Sequence, residues 1–224
     1  MTAPSLVVPA YFDPIREAAE WSQVTARASA VRLVVLNPSN GPGPGRQGSY
    51  ADLTDQLRAT GIRRIGYVNT DYGTRPPGEV HDDCKAFRDW YDVDGVFLDQ
   101  VTSDVAGLDA YERYVRDARS LGCRKVVLNP GVYPHRAYFD LANLVVTFDG
   151  NLEMHRTLQV PDWATSLAPQ RFCHLVYGVP ESEIGDVRRR AASSHAGALY
   201  ITDGLAPNPW GGLAGYWEKL VGRP

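Results

Sequence analysis

The chain has 224 residues, 44% of them hydrophobic, with 23 lysines and arginines against 26 aspartates and glutamates, a formal net charge of −3. That length can bury a large core, either one α/β barrel or two small domains, and no polar linker, low-complexity run or block of like charge between Val31 and Gly204 marks a cut. One domain over residues 1–224 is therefore predicted, and the slightly acidic balance lacks the basic footprint that nucleic acid or an anionic membrane would require.

The apolar run Leu6–Ala10 near the start is too short for a signal peptide or a membrane span, which predicts a cytoplasmic protein as written, or a secreted one if a leader has been removed. Leu6–Phe12 reads as a strand, and Pro14 then opens a helix over Ile15–Ala28. Val31–Leu36 is a buried strand that empties into Asn37–Gly45, a loop rich in Gly and Pro. It lacks the lysine and serine or threonine of a phosphate-binding loop, and its prolines remove amide donors.

Helical spacing over Tyr50–Thr60 stops at Gly61, and Arg64–Val68 is a strand ending in the polar cluster Asn69-Thr70-Asp71-Tyr72-Gly73. Val80–Tyr91 is a helix with Cys84 and Phe87 on one side. A tight turn on Gly95 follows, then the apolar run Val96–Leu98, expected to be covered on both faces. That strand delivers Asp99 and Gln100 to its C-terminal end, where they must meet solvent, a cleft or a paired network. Asp99 is thus a candidate for chemistry, the alternative being a cap on the following turn.

Leu108–Leu121 is an amphipathic helix closed by Gly122; Val126–Leu128 is a strand ending in Asn129-Pro130-Gly131; Tyr138–Ala142 is helical; Leu144–Phe148 is a strand ending in Asp149-Gly150. Phe172–Val179 is a further strand, Glu181–Ser193 an Arg-rich helix, Leu199–Ile201 a last strand ending in Thr202-Asp203-Gly204, and a final helix carries Tyr216, Trp217 and Leu220. Some eight alternations of strand and helix imply a parallel sheet with right-handed crossovers that closes into a (β/α)8 TIM barrel. The competing architecture is an open doubly wound sheet, but no GxGxxG follows the first strand.

Six strand-end segments carry a family resemblance. They are Val8-Pro9-Ala10-Tyr11; Asn37-Pro38-Ser39-Asn40-Gly41-Pro42-Gly43; Gly66-Tyr67-Val68-Asn69-Thr70-Asp71-Tyr72-Gly73; Trp90-Tyr91 with Asp94-Gly95-Val96-Phe97-Leu98-Asp99; Asn129-Pro130-Gly131; and Tyr216-Trp217. In this order they resemble the spherulin-4-like family, also called spherulation-specific family 4, over nearly the whole chain. The resemblance implies a (β/α)8 barrel and, for some members, endo-acting hydrolysis of α-1,4-linked N-acetylgalactosamine or galactosamine polymers. In those hydrolases the fourth strand typically ends in Asp-Glu and the sixth in Phe-Glu. Here Asp99 matches the aspartate, Gln100 replaces the first glutamate, and Phe148-Asp149 replaces Phe-Glu. Aspartate at 149 keeps a titratable carboxyl; glutamine at 100 can bond a sugar hydroxyl but cannot exchange a proton.

Glycoside cleavage needs one carboxylic acid for the leaving oxygen and a second carboxylate to attack the anomeric carbon or activate water. The expectation is Asp99 as nucleophile or charge stabiliser and Asp149 as general acid/base. Tyr11, Asn37, Asn69, Asp71, Tyr72, Gln100, Asn129, Tyr177 and Asp203 are expected to ring the mouth and bind sugar hydroxyls. Trp210 is expected either to stack on a sugar as an exposed indole or to plug the rim.

By alternation His174 should point inward, as a satisfied core histidine rather than a general base; Trp90, Tyr91 and Trp163 are assigned to packing. Cys84, Cys123 and Cys173 show no CxxC pairing and read as buried thiols. His81, His135, His155 and His195 show no metal-ligand spacing, so no metal or cofactor is predicted. Two other readings stay open: a carbohydrate-binding barrel with an impaired catalytic pair, and a hydrolase of a different, smaller glycoside.

Overall fold

The computed structural model describes residues 4–222. Eight strands alternate with helices: β1 (Ser5–Ala10), α1 (Ala18–Ala26), β2 (Val31–Leu36), α2 (Gly48–Thr60), β3 (Arg63–Asn69), α3 (Pro77–Tyr91), β4 (Gly95–Asp99), α4 (Leu108–Ser120), β5 (Lys125–Leu128), α5 (Tyr138–Leu141), β6 (Leu144–Asn151), α6 (Leu152–Arg156), β7 (Phe172–Tyr177), α7 (Ile184–Ser193), β8 (Ala198–Ile201) and α8 (Trp217–Val221). The strands pair in sequence order, all parallel, and β1 closes on β8. The doubly wound alternative is thereby excluded, and every strand's C-terminal end opens on one face, where barrel sites form.

Closure follows from strands buried along nearly their whole length, such as Val7 to Ala10, Val34 to Leu36 and Val96 to Leu98, which must be covered by side chains inside and by helices outside. α4 shows how the helices supply that cover: Tyr111, Tyr114, Val115 and Ala118 recur at helical spacing and are all buried. Each large side chain so buried contributes roughly 1.5–3 kcal/mol. At the opposite end, the Arg64 guanidinium lies 3.1 Å from Asp94 and the Asp94 carboxylate accepts the Arg64 backbone N–H at 2.8 Å, locking β3 to β4.

Several local expectations are corrected. The first helix starts at Ala18 rather than Ile15 because the Asp13 carboxylate accepts the amides of Ile15 (2.8 Å) and Arg16 (3.0 Å), holding them in a turn. The left-handed residue before β4 is Asp92 (φ 42°), not Gly95, which is the first residue of the strand. β6 runs on to Asn151, and α6, absent from the sequence-based reading, follows at once, its first turn capped by the Asn151 side chain accepting from the Met154 amide at 2.9 Å.

His174 is buried, but it faces the helix layer and not the barrel interior. Its ring meets His155 of α6, Phe148 and Tyr133, and its Nδ1 lies 3.1 Å from His155 Nε2. Nor is the pair satisfied: His155 Nδ1 and His174 Nε2 are buried without partners among the described residues. Burial pushes His155 down to about 4 and His174 down to about 3, so both rings are neutral in the fold. Unfolded rings take up protons below about pH 6.5 and folded ones do not, so stability present above that pH is lost as pH falls towards 4. The double variant His155→Leu/His174→Leu should therefore gain on the wild type by on the order of 5 kcal/mol between pH 7 and pH 4.5, about half from each ring. Paired denaturation curves at both pH values measure this, and a stability difference that does not move with pH would refute it.

Candidate functional site

At the C-terminal face an open cleft of about 440 Å³ is lined by Tyr11, Asn37, Asn40, Tyr67, Asp99, Asp149 and the loop Pro207 to Trp210. Its walls therefore come from the ends of β1, β2, β3, β4 and β6 and from the segment after β8. The backbone fixes the strand ends at its base: the Asn129 amide donates to the Leu98 carbonyl (2.9 Å), Val101 N–H to the Asn129 carbonyl (3.1 Å), and Asp149 N–H to the Gly131 carbonyl (3.1 Å).

Asn129 is the centre of the arrangement. Its Oδ1 accepts the Gly131 N–H at 3.0 Å, and Gly131 reaches that geometry in the left-handed region (φ 68°). Because an N–H needs an acceptor, this bond settles which way the amide lies and turns the NH2 group towards the carboxylates. Asn129 Nδ2 then donates to Asp99 Oδ1 at 2.7 Å and to Asp149 Oδ2 at 2.9 Å, so those two oxygens lie at most about 5.6 Å apart. Tyr67 Oη donates to the other oxygen, Asp99 Oδ2, at 2.8 Å.

The two acids differ in support. Burial pushes Asp149 up to about 7, the nearby charge of Asp99 adds to this, and the Asn129 hydrogen bond opposes it. Burial also raises Asp99, but Tyr67, the Gln100 backbone and Asn129 all stabilise its charged form. The carboxyl with fewer donors keeps its proton to higher pH. Burial and the charges of Asp99 and Asp149 hold the Tyr67 and Tyr11 hydroxyls protonated, as donors.

The residues expected at the mouth separate into groups. Tyr11, Asn37 and Asn129 meet Asp99 and Asp149 at the cleft, although the Asn37 side-chain Oδ1 already accepts the Gly41 N–H (2.9 Å). Asn69 and Asp71 line a neighbouring groove that joins the cleft at Asn40, and Tyr72 stands exposed beside it.

Gln100, Tyr177 and Asp203 do not line the cleft. The Gln100 backbone is left-handed (φ 52°) and its carbonyl accepts from Tyr72 N–H (2.8 Å) and Thr70 Oγ1 (3.0 Å), so the residue staples the loop after β3. Asp203 accepts the Gly215 amide at 2.9 Å, and Tyr177 stands edge-on to Trp210. Trp210 is not an exposed indole: it is 7% exposed, packed on Tyr177 and Tyr200, and offers the cleft only part of its surface.

Tyr67 was missed because it sits inside an apolar run and reads as core. Its one available signal is a hydroxyl-bearing ring two residues before the polar strand end, on the same face as Asn69.

A roomier hollow of about 620 Å³ lies between α6 and α7, but its two carboxylates, Glu183 and Asp186, are taken up in ion pairs with Arg156 and Arg189. Among the described residues no three His, Cys, Asp or Glu side chains gather as a metal ion requires, and no helix is long and apolar enough to cross a membrane.

Comparison with known proteins places the chain in a family. Spherulin-4 of Physarum polycephalum is 27% identical over 214 residues, 90% of this chain, and the chain spans 64% of that relative's length. The crystal structure of Aspergillus clavatus Sph3 in complex with GalNAc superposes with a TM-score of 0.82 at 25% identity, covering 98% of this chain and 96% of that one. Deoxyribose phosphate aldolase from Aeropyrum pernix, at 12% identity and a TM-score of 0.53 over 88% of this chain and 85% of its own, shares the barrel alone. The model of spherulation-specific family 4 matches residues 5–223, and with that match over nearly its full length the chain belongs to this family.

Proposed function

We propose that the protein is a glycoside hydrolase acting on an amino-sugar glycan of the N-acetylgalactosamine type, with Asp149 as general acid/base and Asp99 as nucleophile. The observation that carries this reading is the Asn129 bridge, which sets two differently supported carboxyl groups within about 5.6 Å of each other in an open polar cleft. Retaining glycosidases space their carboxyl groups at about 5–5.5 Å, whereas inverting enzymes need about 6.5–9.5 Å to admit a water. Protonated Asp149 donates to the leaving oxygen while ionised Asp99 attacks the anomeric carbon; Asp149, now a carboxylate, then deprotonates the water that releases the sugar.

The lining supports the substrate class. Among the described residues it contains no lysine, arginine or histidine, so a sugar acid or sulfated sugar would meet two carboxyl groups with no counter-charge, whereas a neutral N-acetylated or an amine-bearing sugar would not be repelled. Sph3, of the same fold and size, has been captured with GalNAc. Gln100 cannot exchange a proton, so this reading assigns both proton transfers to Asp149.

The test is incubation with α-1,4-linked N-acetylgalactosamine and galactosamine oligomers, with the first-formed product anomer read by proton NMR. Retention of configuration is expected. The inverted anomer would refute Asp99 as nucleophile, binding without cleavage would favour a carbohydrate-binding barrel, and cleavage confined to a short glycoside would redefine the substrate.

A further inference from the structure

We infer that Tyr67 is a positioning residue for Asp99, its hydroxyl holding the carboxylate ionised and turned so that Oδ1 faces Asn129 and Asp149. The inference rests on the role proposed for Asp99. A carboxylate on a strand end can rotate about its terminal bond, and Asn129 alone leaves one oxygen free to do so. Tyr67 removes that freedom by donating to Oδ2 at 2.8 Å while Asn129 donates to Oδ1 at 2.7 Å.

The tyrosine is itself held on both sides. Its ring stacks on Phe97 at 6.3 Å and takes the edge of Tyr11 at 5.5 Å, and it is only 4% exposed. β3 carries Tyr67 beside Phe97 and Asn69 beside Asp99, so the hydroxyl reaches Asp99 diagonally, two residues along the register.

The groups that bear on Asp99 are Tyr67 from β3, Asn129 after β5, Asp149 from β6, Tyr11 after β1, Tyr111 from α4 and its own neighbour's amide at Gln100. None is cationic, so the negative charge of Asp99 depends on neutral donors, and among the described residues Tyr67 is one of two side chains that bond its carboxylate directly.

The direct test is a carbon-13 carboxyl NMR titration of Asp99 in the wild type, in Tyr67→Phe, and with 3-fluorotyrosine at position 67. Phenylalanine keeps the ring between Tyr11 and Phe97 and deletes only the donor. Its expected effect is an upward shift of the Asp99 midpoint, about tenfold in proton affinity, or about one pH unit. Fluorotyrosine, a stronger donor, should move it the other way and keeps the test open if the phenylalanine variant folds poorly. An Asp99 midpoint unchanged in both refutes the inference.

Kinetics supply the second arm. The acid limb of kcat/KM should move up with the midpoint in Tyr67→Phe, with kcat reduced and KM held within about twofold. A shifted midpoint with an unshifted acid limb also overturns the positioning role. If the wild type hydrolyses none of the oligomers, the hydrolase reading fails separately, while the titration still decides whether Tyr67 controls Asp99.

Discussion

Asp149→Asn is expected to lower turnover by roughly 100- to 10,000-fold, the range for deleting a positioned general acid/base, with little change in melting temperature. The side chain keeps its volume and can still meet Asn129 across 2.9 Å through its own carbonyl, so the loss is one of protonation and not of shape. Two signatures separate this from general damage. With burial holding Asp149 at about 7, the fraction able to donate falls about tenfold per pH unit above that value, so the wild type should lose activity as pH rises through 7. In the variant that basic limb should vanish, and a substrate with an acidic leaving group, which needs no proton, should recover much of kcat/KM, while kcat stays low because the water of the second step has lost its base. Asp99→Asn should cost at least as much and recover with neither substrate. Unchanged rates in either variant would end the assignment of the pair.

The largest structural effect is expected from Gly95→Ala. A Cβ at Gly95 would stand 1.8 Å from the Lys125 carbonyl oxygen and 2.6 Å from its carbon, and both atoms belong to the backbone of the neighbouring strand. Gly95 and Lys125 are register partners, so no rotamer can relieve the contact; β4 and β5 must part at their first pair. β4 ends in Asp99 and β5 leads into Asn129, so their separation would break the bridge as well as the barrel wall. A loss above about 4 kcal/mol is expected, beyond ordinary overpacking at about 1–3 kcal/mol because backbone and not side chain must move. Gly45→Ala is the control: nothing lies within 4 Å of its Cβ, and it should stay within about 0.5 kcal/mol. Chemical denaturation of the two variants measures the contrast, and a Gly95→Ala protein as stable as the control would refute the account.

Gly95 also shows where reading a sequence stops. A glycine between Asp94 and an apolar run is the ordinary mark of a turn, and the reason for it here lies thirty residues away on β5. His174 teaches the same about faces. Alternation along β7 says that His174 and Leu175 point to opposite sides, but which side is the interior depends on the phase of the whole barrel, and the irregular pairing between β6 and β7 helps to set it.

The sequence by itself determined the barrel, because apolar strands buried on both faces and separated by amphipathic helices have few other ways to cover themselves, and it put Asp99 and Asp149 at strand ends on one rim. Only the tertiary structure decided which polar side chains meet. Closure brings β3, β4, β5 and β6 side by side, so that Tyr67 reaches Asp99 and one amide, turned by Gly131, spans both carboxyl groups. The same closure takes Asp203 away to the Gly215 amide and folds Trp210 onto Tyr177 and Tyr200. Strand periodicity is local and survives in the sequence; hydrogen-bond partners are chosen by directions and distances of a few ångströms between distant segments, which no local pattern encodes.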